Sequence, residues 1–231
     1  MEKTVAPQDL ILEILKEKGV LKQNIYANTK VKFSMLKQVV KEVAHDLKKR
    51  VETIDKRLII EFNDISDVQA ELKVAGDRMV FLMHTNVFNF DSDHHIRSTS
   101  YISQHPENAY CGMIYIYNFL ADSFKYNRLN DIGYLVGRLF INHEGHFFVE
   151  GKRQLGFLYN NIAHSVLDKA KMREVVHSVI LYCLDFDLLS PPYDAMSQVT
   201  LEEIKSAKLE EAMTTGKRLG FRFEADTDIP D

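Results

Sequence analysis

A chain of 231 residues and 26.7 kDa with 45% apolar and 27% charged side chains has the composition of an ordinary globular protein with a full core. At this length folding hides roughly 70% of the unfolded surface, so no disulfide or metal staple is required, and one domain with an appended arm is expected. The net charge of −4 and a longest apolar run, residues 109–121, that is too short to span a bilayer and is broken by Gly112 and Asn118 argue against a membrane protein.

No secretory leader precedes Pro7 and Asp9, and Cys111 and Cys183 sit in apolar runs without CxxC or Cys/His spacing. Both features point to buried thiols and a cytoplasmic location. The charge is uneven: residues 22–57 hold ten Lys or Arg against Glu42, Asp46, Glu52 and Asp55, a net of +6 that leaves −10 for the rest. A basic segment on an acidic body fits attraction between the two parts, or self-association, better than nucleic acid, because its lysines surround the helix and aromatics are few.

Residues 8–18 carry Leu10, Ile11, Ile14 and Leu15 at helical spacing and meet Gly19, which predicts a short amphipathic helix ending there as a lid or brace. From residue 33 to 54 the apolar positions Phe33, Leu36, Val40, Val43, Leu47 and Ile54 run at three- and four-residue steps, with Arg50 in the expected gap. Such a seam predicts a paired helix and hence a homodimer. Ile25, Ala27, Val31 and Leu36 resemble a helix-turn-helix whose turn is one residue short.

Strand signals follow. Residues 58–62 are β-prone, and residues 68–74 and 79–85 flank Gly76-Asp77, a two-residue turn with glycine first that would pair Val74 with Met79, Leu72 with Phe81 and Ala70 with Met83. Residues 110–119 are apolar on both faces, as in a central strand. Residues 134–141 and 146–149 form a second hairpin; with Glu144-Gly145 at its tip, His143 opposes His146 and Leu139 opposes Glu150. A long helix is expected from Gly156 to Leu184 and a final helix from Leu201 to Met213. The resulting division is a helical arm over 1–57, an α+β domain over 58–223 and an acidic disordered tail over 224–231. The fold class is α+β, an antiparallel sheet of five or six strands flanked by N-terminal helices and a long C-terminal helix. In order of elements this is similar to GAF- or PAS-like sensory domains.

Residues 89–108 form a polar stretch of a length usually reserved for function. In it Asp91, Asp93 and His95 share one side of an extended chain, a ligand set suited to Mn, Fe or Zn, and His94 and Arg97 could hold an anion. His84 lies just upstream, and Tyr115 and Tyr117 could stack on a flat ligand whose anionic part Asn118, Arg128 or Arg138 would meet. His143 and His146 would offer a second metal pair. Glu150-Gly151-Lys152 resembles the E-x-K half of the PD-(D/E)XK nuclease motif, although Leu139 opposite Glu150 leaves Asp131 too far to help. P-loop, GxSxG and Rossmann glycine patterns are absent. The reading that results is a non-catalytic ligand-binding or regulatory domain acting as a homodimer, with a small-molecule ligand on Asp91, Asp93, His94, His95, Arg97, His84, Tyr115 and Tyr117. The alternative is a metal-dependent hydrolase or nuclease built from the 91–95 loop and Glu150/Lys152.

Overall fold

Gly19 does not stop the first helix. In the computed structural model, which describes residues 6–152, 154–164, 166–188, 190, 193 and 197–202, α1 (Pro7–Ile14) passes through one π-helical turn (Leu15–Gly19) into α2 (Val20–Val51). Gly19 itself takes helical angles, φ −64° and ψ −51°, because glycine weakens a helix by only about 1 kcal/mol and neighbouring turns propagate through it. The stretch that resembles a helix-turn-helix is helical throughout. Residues 6–18 are all exposed, and Leu10, Ile11, Leu12, Ile14 and Leu15 stand in solvent.

Six strands follow as a continuous antiparallel meander, β1 (Ile60–Ser66), β2 (Gln69–Val74), β3 (Asp77–Met83), β4 (Gly112–Leu120), β5 (Tyr134–Ile141) and β6 (Phe147–Gly151), each paired with the next. The α+β class and the sheet are as the alternation of side chains predicts. Two turns differ. The first hairpin turns at Ala75-Gly76, with Ala75 at φ +52°, so Leu72 faces Met79, Ala70 faces Phe81 and Val74 faces Asp77. A shift of two residues keeps every side chain on its expected face.

The second hairpin slips by one residue, which exchanges faces. Gly145 at φ +81° closes a three-residue loop, and the Asn142 side-chain oxygen accepts from the backbone N–H of Glu144 and of His146. Ile141 therefore faces Phe147, and Arg138 rather than Leu139 faces Glu150. His143 and His146 are not an opposed pair, because Asn142 takes the place across from His146.

One sheet face packs on α2 and on α6 (Lys169–Leu184). Phe33, Leu36, Val40 and Val43, the residues of the seam, lie in this core with Leu72, Phe81, Ile114, Leu139, Val176 and Val179. The seam is thus consumed by the chain's own sheet and is not a free face for a second copy. Ile54, its expected last member, is exposed. Part of the basic segment is tied to the acidic body, with Lys30 on Asp67 and Lys37 on Asp64, while in the opposite sense Glu42 of the segment accepts from Lys169 and Arg173 of α6.

The single long helix expected from Gly156 is two. After α5 (Gln154–Leu158) the chain leaves the helix, Val166 bridges to His146, and Asp168 restarts it by accepting from the Lys171 N–H at 2.7 Å. An N-cap carboxylate explains why α6 begins there. Of the expected final helix only Leu201 and Glu202 are described, and the 224–231 tail lies outside the described residues.

Gly112 marks the closest approach of sheet and helix. A Cβ there would stand 2.0 Å from the Thr29 hydroxyl and 2.8 Å from its Cβ, and Thr29 is fixed by donating to the Ile25 carbonyl at 2.7 Å. Gly112→Ala is expected to cost about 1–3 kcal/mol in urea unfolding, as over-packing does. An unchanged midpoint would show that α2 retreats freely from β4.

Candidate functional site

Among the described residues, the second face of the sheet is covered only at its ends. Residues 84–111 fold over one end through the short helix α3 (Ser100–Gln104) and the 3-10 turns His95–Ser98 and Pro106–Ala109, burying Ile96, Ile102, Ala109 and Cys111 with Met113, Phe140 and Phe148. At the other end Phe124 of α4 (Ala121–Lys125) lies edge-on to Phe119 and under the Arg78 guanidinium. Between these covers Leu82, Tyr115, Tyr117, Arg138 and Glu150 are half-exposed.

Strand register sets this face. Tyr115 lies across from Leu82 on one side and from Arg138 on the other, and Arg138 lies across from Glu150. A bulge between Ile116 and Tyr117 lets Tyr117 pair with Leu135, and the Tyr115 and Tyr117 rings stack with centroids 5.6 Å apart. Burial, with Tyr115 adding to it, pushes the Tyr117 hydroxyl above its ordinary range, so it remains a proton donor at neutral pH.

The loop brings its histidines onto the same face. His94 Nε2 lies 3.0 Å from Glu150, whose other oxygen accepts from Arg138, giving a continuous His94, Glu150, Arg138 chain. His94 Nδ1 accepts from the Ile96 N–H at 3.4 Å, which assigns the proton to Nε2 as the donor to Glu150. Phe90 packs on His94 at 4.5 Å, fixing the ring against Phe140 and Phe148. The His95 ring lies 4.5 Å from that of His94 and makes no side-chain hydrogen bond among the described residues. Burial first, and the neighbouring His94 second, hold the His95 imidazole below its ordinary pKa against the opposing pull of Glu150, so it is neutral at pH 7 with its ring nitrogens open. His84 is held by the Asn86 N–H on Nδ1 at 2.9 Å and lies 6.2 Å from Tyr115.

Five of the eight expected ligand residues, His84, His94, His95, Tyr115 and Tyr117, thus meet on one face. Three do not. Asp91 and Asp93 are exposed, and no three His, Cys, Asp or Glu side chains converge as a metal-ligand group among the described residues. A turn at Asp91 breaks the extended geometry that would align Asp91, Asp93 and His95, since the His94 N–H donates to the Asp91 carbonyl. Arg97 is a staple of the loop, donating from Nε to the Phe90 carbonyl and from its guanidinium to Asn89, each at 2.8 Å.

Most of the other candidates have structural partners, although the buried Nδ1 of His143 has none among the described residues. His146 stacks on Tyr101 at 4.7 Å and meets the Ile162 carbonyl at 2.7 Å. Asn118 donates to Asp77 and Tyr134 inside the sheet, and Asp131 pairs with Ser123 and Arg128. Cys111 and Cys183 are free and buried; burial pushes the Cys183 thiol up to about 12 and that of Cys111 higher still. Glu150, the acid of the E-x-K half-motif, faces an arginine and a histidine instead of a second acid, and Lys152 is exposed. The roles of Arg138 and Glu150 in completing this face were hidden, because no local signal ties residue 94 to a strand 56 positions away.

No family model, curated protein or solved structure matches this chain.

Proposed function

We propose that the chain is a non-catalytic, cytoplasmic ligand-binding or regulatory domain, and that its ligand lies on the half-exposed sheet face beside Tyr115, Tyr117, Arg138 and His95. A flat molecule with an acidic group suits that face: the two tyrosines offer ring surface and hydroxyl donors, and Arg138 with the open His95 offers partners for an anion. The observation that carries the reading is the single one that stacked tyrosines and the His94, Glu150, Arg138 chain share one surface, left open among the described residues. Binding is favoured over proton transfer because both His94 nitrogens are engaged and Glu150 is held by two partners. The unpaired, buried cysteines support a reducing compartment.

The test is a titration of isotope-labelled protein with benzoate and indole carboxylate, followed by amide chemical shifts. Saturable shifts are expected at His84, His95, Tyr115 and Tyr117, with affinity about tenfold weaker in Tyr117→Ala and in Arg138→Met, the loss of roughly 1.4 kcal/mol in each. No saturable shift with either acid, or affinity unchanged in both variants, overturns the reading.

A further inference from the structure

A second opening lies where the N-terminal helix leaves the body. A cleft of about 490 Å³, within the size range of small-molecule sites, runs between Glu17, Lys18 and Leu21 on the helix side and Arg97, Glu107 and Tyr110 on the loop side. Glu17 and Lys18 belong to the π-helical turn Leu15–Gly19. Such turns are rare and gather at functional sites, and the extra residue rotates the side chains before it by about 100° relative to those after it.

The charges of this cleft do not pair with one another. Two acids and two bases line it, yet no ion pair joins any two of Glu17, Lys18, Arg97 and Glu107, and Glu17 and Lys18 have no side-chain partner at all among the described residues. Arg97 spends Nε and one terminal nitrogen on Phe90 and Asn89, which fixes its guanidinium while leaving the other terminal nitrogen without a partner among the described residues. Among the described residues the Glu107 carboxylate pairs only with His105, at 3.4 Å, and about half of the Glu107 side chain is exposed. Opposite charges that share a cleft without pairing leave room for a ligand that carries both signs. Leu21 and Tyr110, each half-buried, add an apolar wall between them.

We propose that this cleft binds a zwitterionic amino acid or dipeptide with an apolar side chain, its carboxylate toward Lys18 and Arg97 and its ammonium toward Glu17 and Glu107. The site is separate from the tyrosine face and does not depend on it. Occupancy would bridge the N-terminal helix to the 84–111 loop.

The probe is the dipeptide Leu-Phe, compared with its N-acetylated form, which lacks the cation, and its C-amidated form, which lacks the anion. Amide shifts report the site and calorimetry the affinity. Saturable shifts are expected at Lys18, Leu21, Arg97 and Tyr110, with affinity at least tenfold weaker for each blocked peptide and for Glu17→Gln and Lys18→Met, substitutions at exposed helix positions that leave the core untouched. Equal binding of the N-acetylated form would reduce the cleft to a plain anion site and overturn the proposal, as would the absence of saturable binding. Shifts confined to His84, Tyr115 and Tyr117 would assign the peptide to the sheet face and overturn it equally.

Discussion

Replacing Leu36 and Val40 together by glutamate is expected to leave the chain unfolded. Leu36 is 2% exposed and Val40 fully buried, both among the side chains of the sheet and α6. Each substitution would place a carboxylate in this core without a counter-charge, at an effective cost of several kcal/mol per ion. Two such costs reach the whole stability of a typical domain, about 5–15 kcal/mol. Circular dichroism and size-exclusion chromatography with light scattering check this together: helix content collapses and the species expands. A folded, compact monomer formed from a wild-type dimer would instead show that α2 is an interface helix and that its place in the core is wrong.

The second large effect is expected at the pair Glu71 and Arg78. Glu71, 5% exposed, accepts from the Arg78 guanidinium at 2.9 Å and from the Gln69 amide at 3.2 Å, and Arg78 lies 4.6 Å over the Phe124 ring. Removing one member of such a pair leaves the other charge buried and uncompensated, which costs about 3–5 kcal/mol. Arg78→Met should therefore lose that much in urea unfolding. Adding Glu71→Gln to it should restore most of the loss, because a neutral amide needs no counter-charge and Gln69 can still bond to it. If the double variant is as unstable as Arg78→Met alone, the loss comes from the packing of Arg78 on Phe124 instead of from the stranded carboxylate.

The two hairpins show how far a register can be read from residues. The expected turn at Gly76-Asp77 lies one position earlier, at Ala75-Gly76, which shifts the pairing by two residues, and the error is harmless because the side-chain period is two. At residues 142–146 the slip is one residue and decisive, since it moves Glu150 from a place opposite Leu139 to one opposite Arg138. The sequence signal existed: Asn142 is a residue whose side chain caps turns, and a glycine at the third loop position favours the bulged three-residue loop. A reading that starts from the two most turn-like residues, Glu144 and Gly145, overlooks the cap that precedes them.

Other differences had no local signal. Whether a heptad-like stripe pairs with another helix or with a sheet depends on which apolar surface reaches it first within the chain, and the same spacing serves both. Whether Gly19 ends a helix depends on the turns on either side of it. The break between α5 and α6 could have been placed by the N-cap at Asp168, but Ile162 and Val166 continue the helical spacing across it, and Ile162 is buried against the loop cluster instead.

By itself the sequence determined what depends on near neighbours: strand and helix identity from side-chain period, the order of the meander, the free and buried cysteines, and the polar loop as the place where histidines gather. Only the tertiary structure decided what depends on distant ones. It joined His94 to Glu150 and Arg138, set these beside Tyr115 and Tyr117, turned Arg97 away into a cleft with Lys18, and spent the α2 seam on the core. The physical reason is that period fixes which face a side chain occupies, whereas the partner on that face is chosen by strand register and loop closure, and a shift of one residue in either exchanges it.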